Sequence, residues 1–292
     1  MTLITFASIK GSPGATTLAC LVGASWPVGR RAVVAECDPS GGDLAARFSL
    51  STKTGWLSLA ASARRGGAEA SIESHLQKLP GGLEVLVGSH GGDVAGAGKV
   101  AGQEAGRALR EFAKGATADV IVDLGRLRLD SADAQEWLAH SSAVCIVLRS
   151  DAASVLHVER CSDALREATG DAVSLVVVGR GPYSTSEIER FTGMPVMIDI
   201  PEDSAAAAVL TAGRGSERRL ARSVLVRSAR RLALTLAELG PGRPSPEVTD
   251  CAVSAGKGFP CRSARDGARV GPTIPDAAAS STNGQLDLQD QR

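Results

Sequence analysis

The chain reads as a series of short apolar runs separated by longer stretches with helical spacing. Residues 1–8 (MTLITFAS), 31–37 (RAVVAEC), 83–87 (LEVLV), 118–124 (ADVIVDL), 143–149 (AVCIVLR), 173–178 (VSLVVV) and 195–200 (PVMIDI) are almost continuously apolar. A strand buried on both faces has that signature, because helices cover each side of a parallel sheet. Residues 16–26 are long enough to begin a helix. Residues 103–114 space Ala105, Leu109 and Phe112 at helical intervals, and residues 152–169 place Val155, Val158, Leu165 and Ala168 near one stripe. Start signals agree: Ser131 and Asp151 stand at N-cap positions, and Ser184 with Glu187 spells a capping box. Shorter helices are expected around residues 56–59 and over residues 72–79, closed by Gly81 and Gly82. The glycine-rich stretch 88–102 is expected to be mobile. Strands alternating with helices predict a doubly wound α/β fold, with a mostly parallel sheet, helices on both faces and a ligand at the carboxyl ends of the strands.

Composition refines this picture. The 292 residues suffice for one large α/β domain or two small ones, and 43% are hydrophobic, enough for a sizeable core. Only 3% are aromatic, so that core must be built from Ala, Val, Leu and Ile. The periodic segments end near residue 239. From residue 240 the sequence turns to Pro, Gly, Ser and balanced charges, which predicts a disordered tail over 240–292. The tail has no amphipathic helix, so membrane contact through it is not expected. The six cysteines contain no C-x-x-C pair and the four histidines are scattered, which argues against a disulfide framework or a zinc site. A secretory leader pattern is lacking and no apolar run approaches the roughly 18 residues of a membrane span, so a cytoplasmic location is expected.

Basic and acidic residues balance at 32 each, so binding to nucleic acid or anionic lipid would need a local patch. One candidate is the segment 214–231, with arginines at 214, 218, 219, 222, 227, 230 and 231 against Glu217. At about 100° per residue, Arg218, Arg219, Arg222 and Arg230 fall within an arc of about 120°, with Leu220, Ala221, Val224 and Leu232 on the other side. A solvated face on the last helix is the plain alternative.

The candidate chemistry lies where the first apolar run meets the first helix, at Lys10-Gly11-Ser12-Pro13-Gly14-Ala15-Thr16-Thr17. Strand, glycine-bearing loop, helix is the order a phosphate cradle needs. Glycines let the backbone wrap an anion, while loop amides and the partial positive charge of a helix N-terminus face it. Thr16 or Thr17 would offer a hydroxyl to a magnesium ion bound with the phosphates. An ordinary Gly/Pro turn would use the same residue types. Further on, Asp38 follows one apolar run and Asp123 ends another, just before Leu124 and Gly125. Carboxylates at the carboxyl edge of a parallel sheet face its ligand crevice, although Asp38-Pro39 also suits a plain turn or helix cap.

The loop resembles the deviant P-loop of the ParA/MinD family, whose pattern is lysine, two glycines, any residue, glycine, lysine, Ser or Thr, and Thr. Lys10, Gly11, Gly14, Thr16 and Thr17 match it. Ser12 replaces a glycine, and Ala15 stands where P-loop enzymes place the lysine that reaches the terminal phosphates. Glu36-Cys37-Asp38 is similar to the family's acid, any residue, aspartate triplet, and the resemblance runs to about residue 239. It implies a nucleotide-binding domain over residues 1–239, in which Gly11, Ser12, Pro13, Gly14, Ala15, Thr16 and Thr17 hold ATP. It further implies magnesium held by Thr16 with Asp38 and Asp123, and Asp38 acting on the attacking water. Gly125 would let the next loop sense the terminal phosphate, and Lys10 would cross a homodimer interface and supply some of the charge Ala15 lacks. The family's base-reading asparagine is replaced by Gly179-Arg180-Gly181-Pro182, while Pro201-Glu202-Asp203 is similar to its base-side loop. The implied function is a dimerising nucleotide switch with slow or lost hydrolysis. Such a switch positions division, chromosome-partition, secretion or pilus machinery through a protein partner. A non-hydrolysing adaptor with the same fold, and a partition protein binding DNA through residues 214–231, stay open beside it.

Overall fold

The computed structural model describes residues 2–11, 13–64, 71–89, 97–115, 118–212 and 222–239. The expected tail, Ser12 and the basic residues at 214, 218 and 219 lie outside the described residues. The strands are β1 (Leu3–Ser8), β2 (Ala32–Glu36), β3 (Gln77–Lys78), β4 (Glu84–Leu86), β5 (Asp119–Arg126), β6 (Ala143–Arg149), β7 (Val173–Val178) and β8 (Val196–Ile200). The helices are α1 (Ala15–Ala24), α2 (Leu44–Phe48), α3 (Trp56–Arg64), α4 (Ala97–Lys114), α5 (Ala132–His140), α6 (Ala152–Thr169), α7 (Thr185–Thr192), α8 (Ser204–Ala212) and α9 (Val224–Glu238).

One eight-stranded sheet runs β3-β4-β2-β5-β1-β6-β7-β8. Every neighbouring pair is parallel except β3 with β4. Both faces are covered, and successive strand residues feed opposite cores. In β5, Val120 and Val122 join the core under α3 to α7, whereas Ile121 joins the core under α1, α2, α8 and α9. This double burial is why the strands read as continuous apolar runs. Helix α1 leaves β1 towards one face, while α5 and α6, which follow the flanking strands β5 and β6, pack on the other. Connections diverging in this way open a crevice at the carboxyl end of the central strand.

The expected caps form. Ser131 accepts from the Ala134 amide, Asp151 accepts from Ser154 at 2.9 Å, and Ser184 with Glu187 closes a reciprocal capping box. The described cysteines, Cys20, Cys37, Cys145 and Cys161, form no disulfide.

Several expectations are corrected. Residues 72–79 form only a 3-10 turn over Ile72–His75, and Gln77–Lys78 then pairs antiparallel with β4. That segment is too short and too polar to sustain a helix in isolation. Residues 97–102 open α4, so the stretch 88–102 is in part helical. Gly125, expected to lead into a loop, instead continues β5 together with Arg126. Val224, placed on the inward side of the last helix, is 42% exposed, because the buried stripe of α9 runs through Leu225, Ala229, Leu232 and Leu236.

Candidate functional site: a phosphate cradle at the carboxyl end of the central strand

The connection from β1 to α1 depends on Gly11 and Gly14, whose φ angles of 87° and 93° lie in the left-handed region that side chains disfavour. Gly14 is the N-cap of α1 and has no side chain to cap the first turn, which also carries no acidic residue. The first-turn amides have no partner within the helix, and with the helix dipole they present a positive anion site.

A cavity of about 420 Å³ opens beside this turn. Lys10, Gly11, Gly14, Ala15, Thr16 and Thr17 line it from the loop and α1. Ser8, Gly125 and Arg126 reach it from β1 and β5, and Asp38, Asp43 and Arg47 from the segment after β2. The structure thus brings together the residues the sequence singles out, apart from Pro13, Asp123 and the undescribed Ser12. Pro13 lines a neighbouring cavity of about 330 Å³ with Gly14, Thr17, Val178, Ile200 and Glu202. In that second cavity Arg149 lies 3.7 Å from Glu202, and Asp203 caps α8 by accepting the Ala206 amide at 2.9 Å. The two cavities share Gly14 and Thr17, so a polar cradle and a more apolar recess meet at one loop. A nucleotide has that division of chemistry, charged at one end and flat and apolar at the other.

Asp38 does two things. Its Oδ1 accepts the Ser40 amide at 2.7 Å, so it begins a turn, and it also lines the cavity. Its carboxylate rests against Gly125, where a Cβ would stand 1.7 Å from Asp38 Oδ2. Gly125, at φ 54°, therefore supplies both a left-handed backbone and the room for Asp38.

Asp123 is buried, and its Oδ1 accepts the Gly125 amide at 3.0 Å. Its Oδ2 is buried without a hydrogen-bond partner among the described residues. Burial pushes this carboxyl up to about 6; the Thr16 hydroxyl and Gly125 amide pull it back, and Glu36 and Asp38 add repulsion. Thr16 is its link to the cavity.

An orphaned buried carboxylate oxygen beside a threonine hydroxyl and an uncapped anion site fits a hydrated magnesium ion arriving with polyphosphate. Among the described residues no cluster of three or more His, Cys, Asp or Glu side chains makes a metal cage. Magnesium does not need one, since it keeps several waters and binds through one or two protein oxygens and phosphate oxygens.

Glu36 works differently from Asp38. Its Oε1 accepts the Asp43 and Leu44 amides at 2.6 and 3.0 Å, and its Oε2 accepts the Gly88 amide at 2.9 Å. Burial raises its carboxyl, and these three bonds offset that only in part. It is an anchor joining the segments after β2 and β4, and it fixes the start of α2, from which Asp43 and Arg47 face the cavity.

The sequence-based site lacks Ser8, Asp43, Arg47 and Arg126. The Asp43–Arg47 ion pair, at 2.7 Å with i,i+4 spacing, was open to inspection in the sequence, and Arg126 directly follows Gly125. Ser8 carried no signal.

These elements define a class, a phosphate-loop α/β fold with its site at the carboxyl edge. Comparison with known proteins narrows it. The sequence matches no protein-family model and no curated protein. Among solved structures it is similar to a ParA family ATPase from Chlorobium tepidum TLS, with a TM-score of 0.65 and 18% identity over 80% of this chain and 97% of that one. It is similar to the MinC:MinD cell division protein complex of Aquifex aeolicus, with a TM-score of 0.64 and 16% identity over 82% and 96% of the two chains. It is also similar to the septum site-determining protein MinD with Mg-ADP from Pyrococcus horikoshii OT3, with a TM-score of 0.62 and 18% identity over 82% and 96%. The chain has the ParA/MinD-type P-loop fold.

Proposed function

We propose that this chain is a nucleotide-dependent switch of the ParA/MinD type, binding a nucleoside triphosphate with magnesium and dimerising in one nucleotide state. The observation that carries this function is the cavity of about 420 Å³ in which glycine-shaped backbone, uncapped helix amides, Thr16 and Asp38 converge, with the orphaned oxygen of Asp123 behind Thr16. Gly11 to Thr17 would hold the phosphates, and Thr16 with Asp38 and Asp123 would hold the hydrated magnesium. When bound, magnesium neutralises phosphate charge and helps to hold the nucleotide in place. Asp38, which lines the cavity, would orient a water there. Lys10 is exposed at the cavity edge, where it would reach a second subunit. The neighbours solved with Mg-ADP and as a MinC:MinD cell division protein complex support a nucleotide and a protein partner for this chain. Among the described residues no helix is long and apolar enough to cross a membrane.

Calorimetry with ATP and magnesium, together with light scattering with and without ATP, tests the switch. Binding with a nucleotide-dependent change in mass is expected, and no binding at millimolar nucleotide rejects it.

Ala15 favours a second function, an adaptor that binds nucleotide without turnover, because a methyl group cannot stabilise the charge that develops during phosphoryl transfer. Nucleotide binding and dimerisation without single-turnover hydrolysis would select it. Arg222, Arg227, Arg230 and Arg231 are exposed and keep the DNA-binding alternative in play. Duplex affinity that does not change with salt, or does not fall when these arginines become alanine, rejects that alternative.

A further inference from the structure

We infer that Arg126 takes over, within the same subunit, the electrostatic task of the absent loop lysine, so that its guanidinium holds the outermost phosphate and lets the site tell a triphosphate from a diphosphate. This rests on the nucleotide-binding function proposed above and names the residue that gives the site its phosphate-number selectivity.

Three cations line the cavity, and their surroundings differ. Arg47 is engaged with Asp43 at 2.7 Å, and its side chain is 25% exposed. Lys10 shares its field with Asp151 at the start of α6, whose carboxyl is lowered chiefly by the Ser154 amide and to a smaller degree by Lys10. Lys10 also lines a small recess on that side with Ser154 and Val158. Neither the Lys10 ammonium nor the Arg126 guanidinium has a hydrogen bond or ion pair with a described residue, but Lys10 acts on Asp151 whereas the Arg126 side chain lies against the loop glycine Gly11.

Its placement is built into the sheet. The β1–β5 register shifts between Phe6 and Ser8, after which Ser8 stands opposite Arg126. The Ser8 hydroxyl donates to Gly125 O at 3.2 Å, and the Leu127 amide donates to Ser8 O at 2.8 Å, so Ser8 holds the chain on both sides of Arg126. Such irregularities re-aim side chains beside functional sites. The Arg126 stem lies over the loop glycine: a Cβ on Gly11 would meet its Cδ at 3.6 Å and its Cγ at 4.0 Å. The Arg126 side chain thus packs on the phosphate loop, three residues beyond Asp123, and lines the same cavity as Ala15, where a planar guanidinium fork suits phosphate oxygens. The buried methyl of Ala15 brings no charge to that cavity.

The test is calorimetry on the full chain at fixed magnesium and salt, with ADP and with a slowly hydrolysed ATP analogue. Arg126→Ala should weaken the analogue by about 10- to 100-fold, as expected for one charge-assisted contact, and ADP by less than about threefold. Arg126→Lys should keep part of the preference. Arg126→Ala combined with Ala15→Lys should restore it, which a merely structural role for Arg126 would not allow. Arg126 is exposed, so thermal melts should match wild type. Equal losses for both nucleotides, no loss for either, or a triphosphate preference erased by Lys10→Ala and not by Arg126→Ala, each overturns the assignment while leaving the nucleotide-binding function standing. Wild type binding neither nucleotide overturns both.

Discussion

Replacing Asp119 with alanine should destabilise the fold by about 3–5 kcal/mol, the range for removing one partner of a buried charge pair. The carboxylate is fully buried at the start of β5. Its Oδ1 accepts from the Thr2 amide and Arg30 Nη2, each at 2.8 Å, and its Oδ2 from Trp26 Nε1 at 2.8 Å and Arg30 Nε at 2.9 Å. Arg30 also donates to Ala237 O at 2.7 Å, so the network ties the start of β1, the α1–β2 connection, β5 and the end of α9 together. Hydrogen bonds to a charged group contribute about 1.5–3 kcal/mol each, but they do not simply add. The Arg30 side chain is 34% exposed and can rehydrate, so its share is discounted; the Trp26 and Thr2 donors would be left buried. Against a total of about 5–15 kcal/mol, the loss should lower the melting temperature by on the order of 10 °C. Burial pushes the Asp119 carboxyl up, but Arg30, the Thr2 amide and Trp26 more than offset this and hold it below its ordinary value. A depressed folded-state value means that the unfolded chain takes the proton first. The stabilisation is therefore complete above the unfolded value of about 3.9 and fades as pH falls through the folded one. Urea denaturation of wild type and Asp119→Asn, with m-values compared, should show a gap that is constant from about pH 6 to about pH 8 and narrows below about pH 4. An alanine cost under about 1 kcal/mol, or a gap that widens on acidification, would refute this account of the network.

Three other perturbations probe the site. Glu36→Ala removes the acceptor of the Asp43, Leu44 and Gly88 amides, so their hydrogen exchange should accelerate by about tenfold or more, and unchanged protection would show that the anchor is dispensable. Gly125→Ala puts a Cβ 1.7 Å from Asp38 Oδ2 on a backbone at φ 54°, and should lower stability by about 1–3 kcal/mol while displacing Asp38; a melt and an ATP titration both at wild-type values would contradict that contact. Asp38→Asn keeps an oxygen for the Ser40 amide, so stability should stay within about 0.5 kcal/mol while single-turnover hydrolysis, where wild type shows it, falls by about 100-fold; full retention of turnover would remove Asp38 from the chemistry.

Most of the fold was legible because its signals are local. Continuous apolar runs mark doubly buried strands, and Ser131, Asp151 and Ser184 cap the helices they were expected to cap. The loop from Lys10 to Thr17 was legible because its glycines and threonines are neighbours in the chain between an apolar strand and a helix. Residues 72–79 were misjudged because pairing with β4, a partner distant in space until the chain folds, outweighed a weak helical tendency.

The sequence by itself determined the succession of strands and helices, the phosphate loop, the missing lysine at Ala15 and the two aspartates at the ends of apolar runs. Each of these is written in neighbouring residues. Only the tertiary structure decided that Glu36 anchors backbone while Asp38 faces the cavity, that Asp119 is tied to Arg30 across 89 positions, and that Arg126 lies over Gly11. The physical reason is that burial and charge pairing depend on which distant segments the sheet order brings together, and no local pattern of side chains encodes that order.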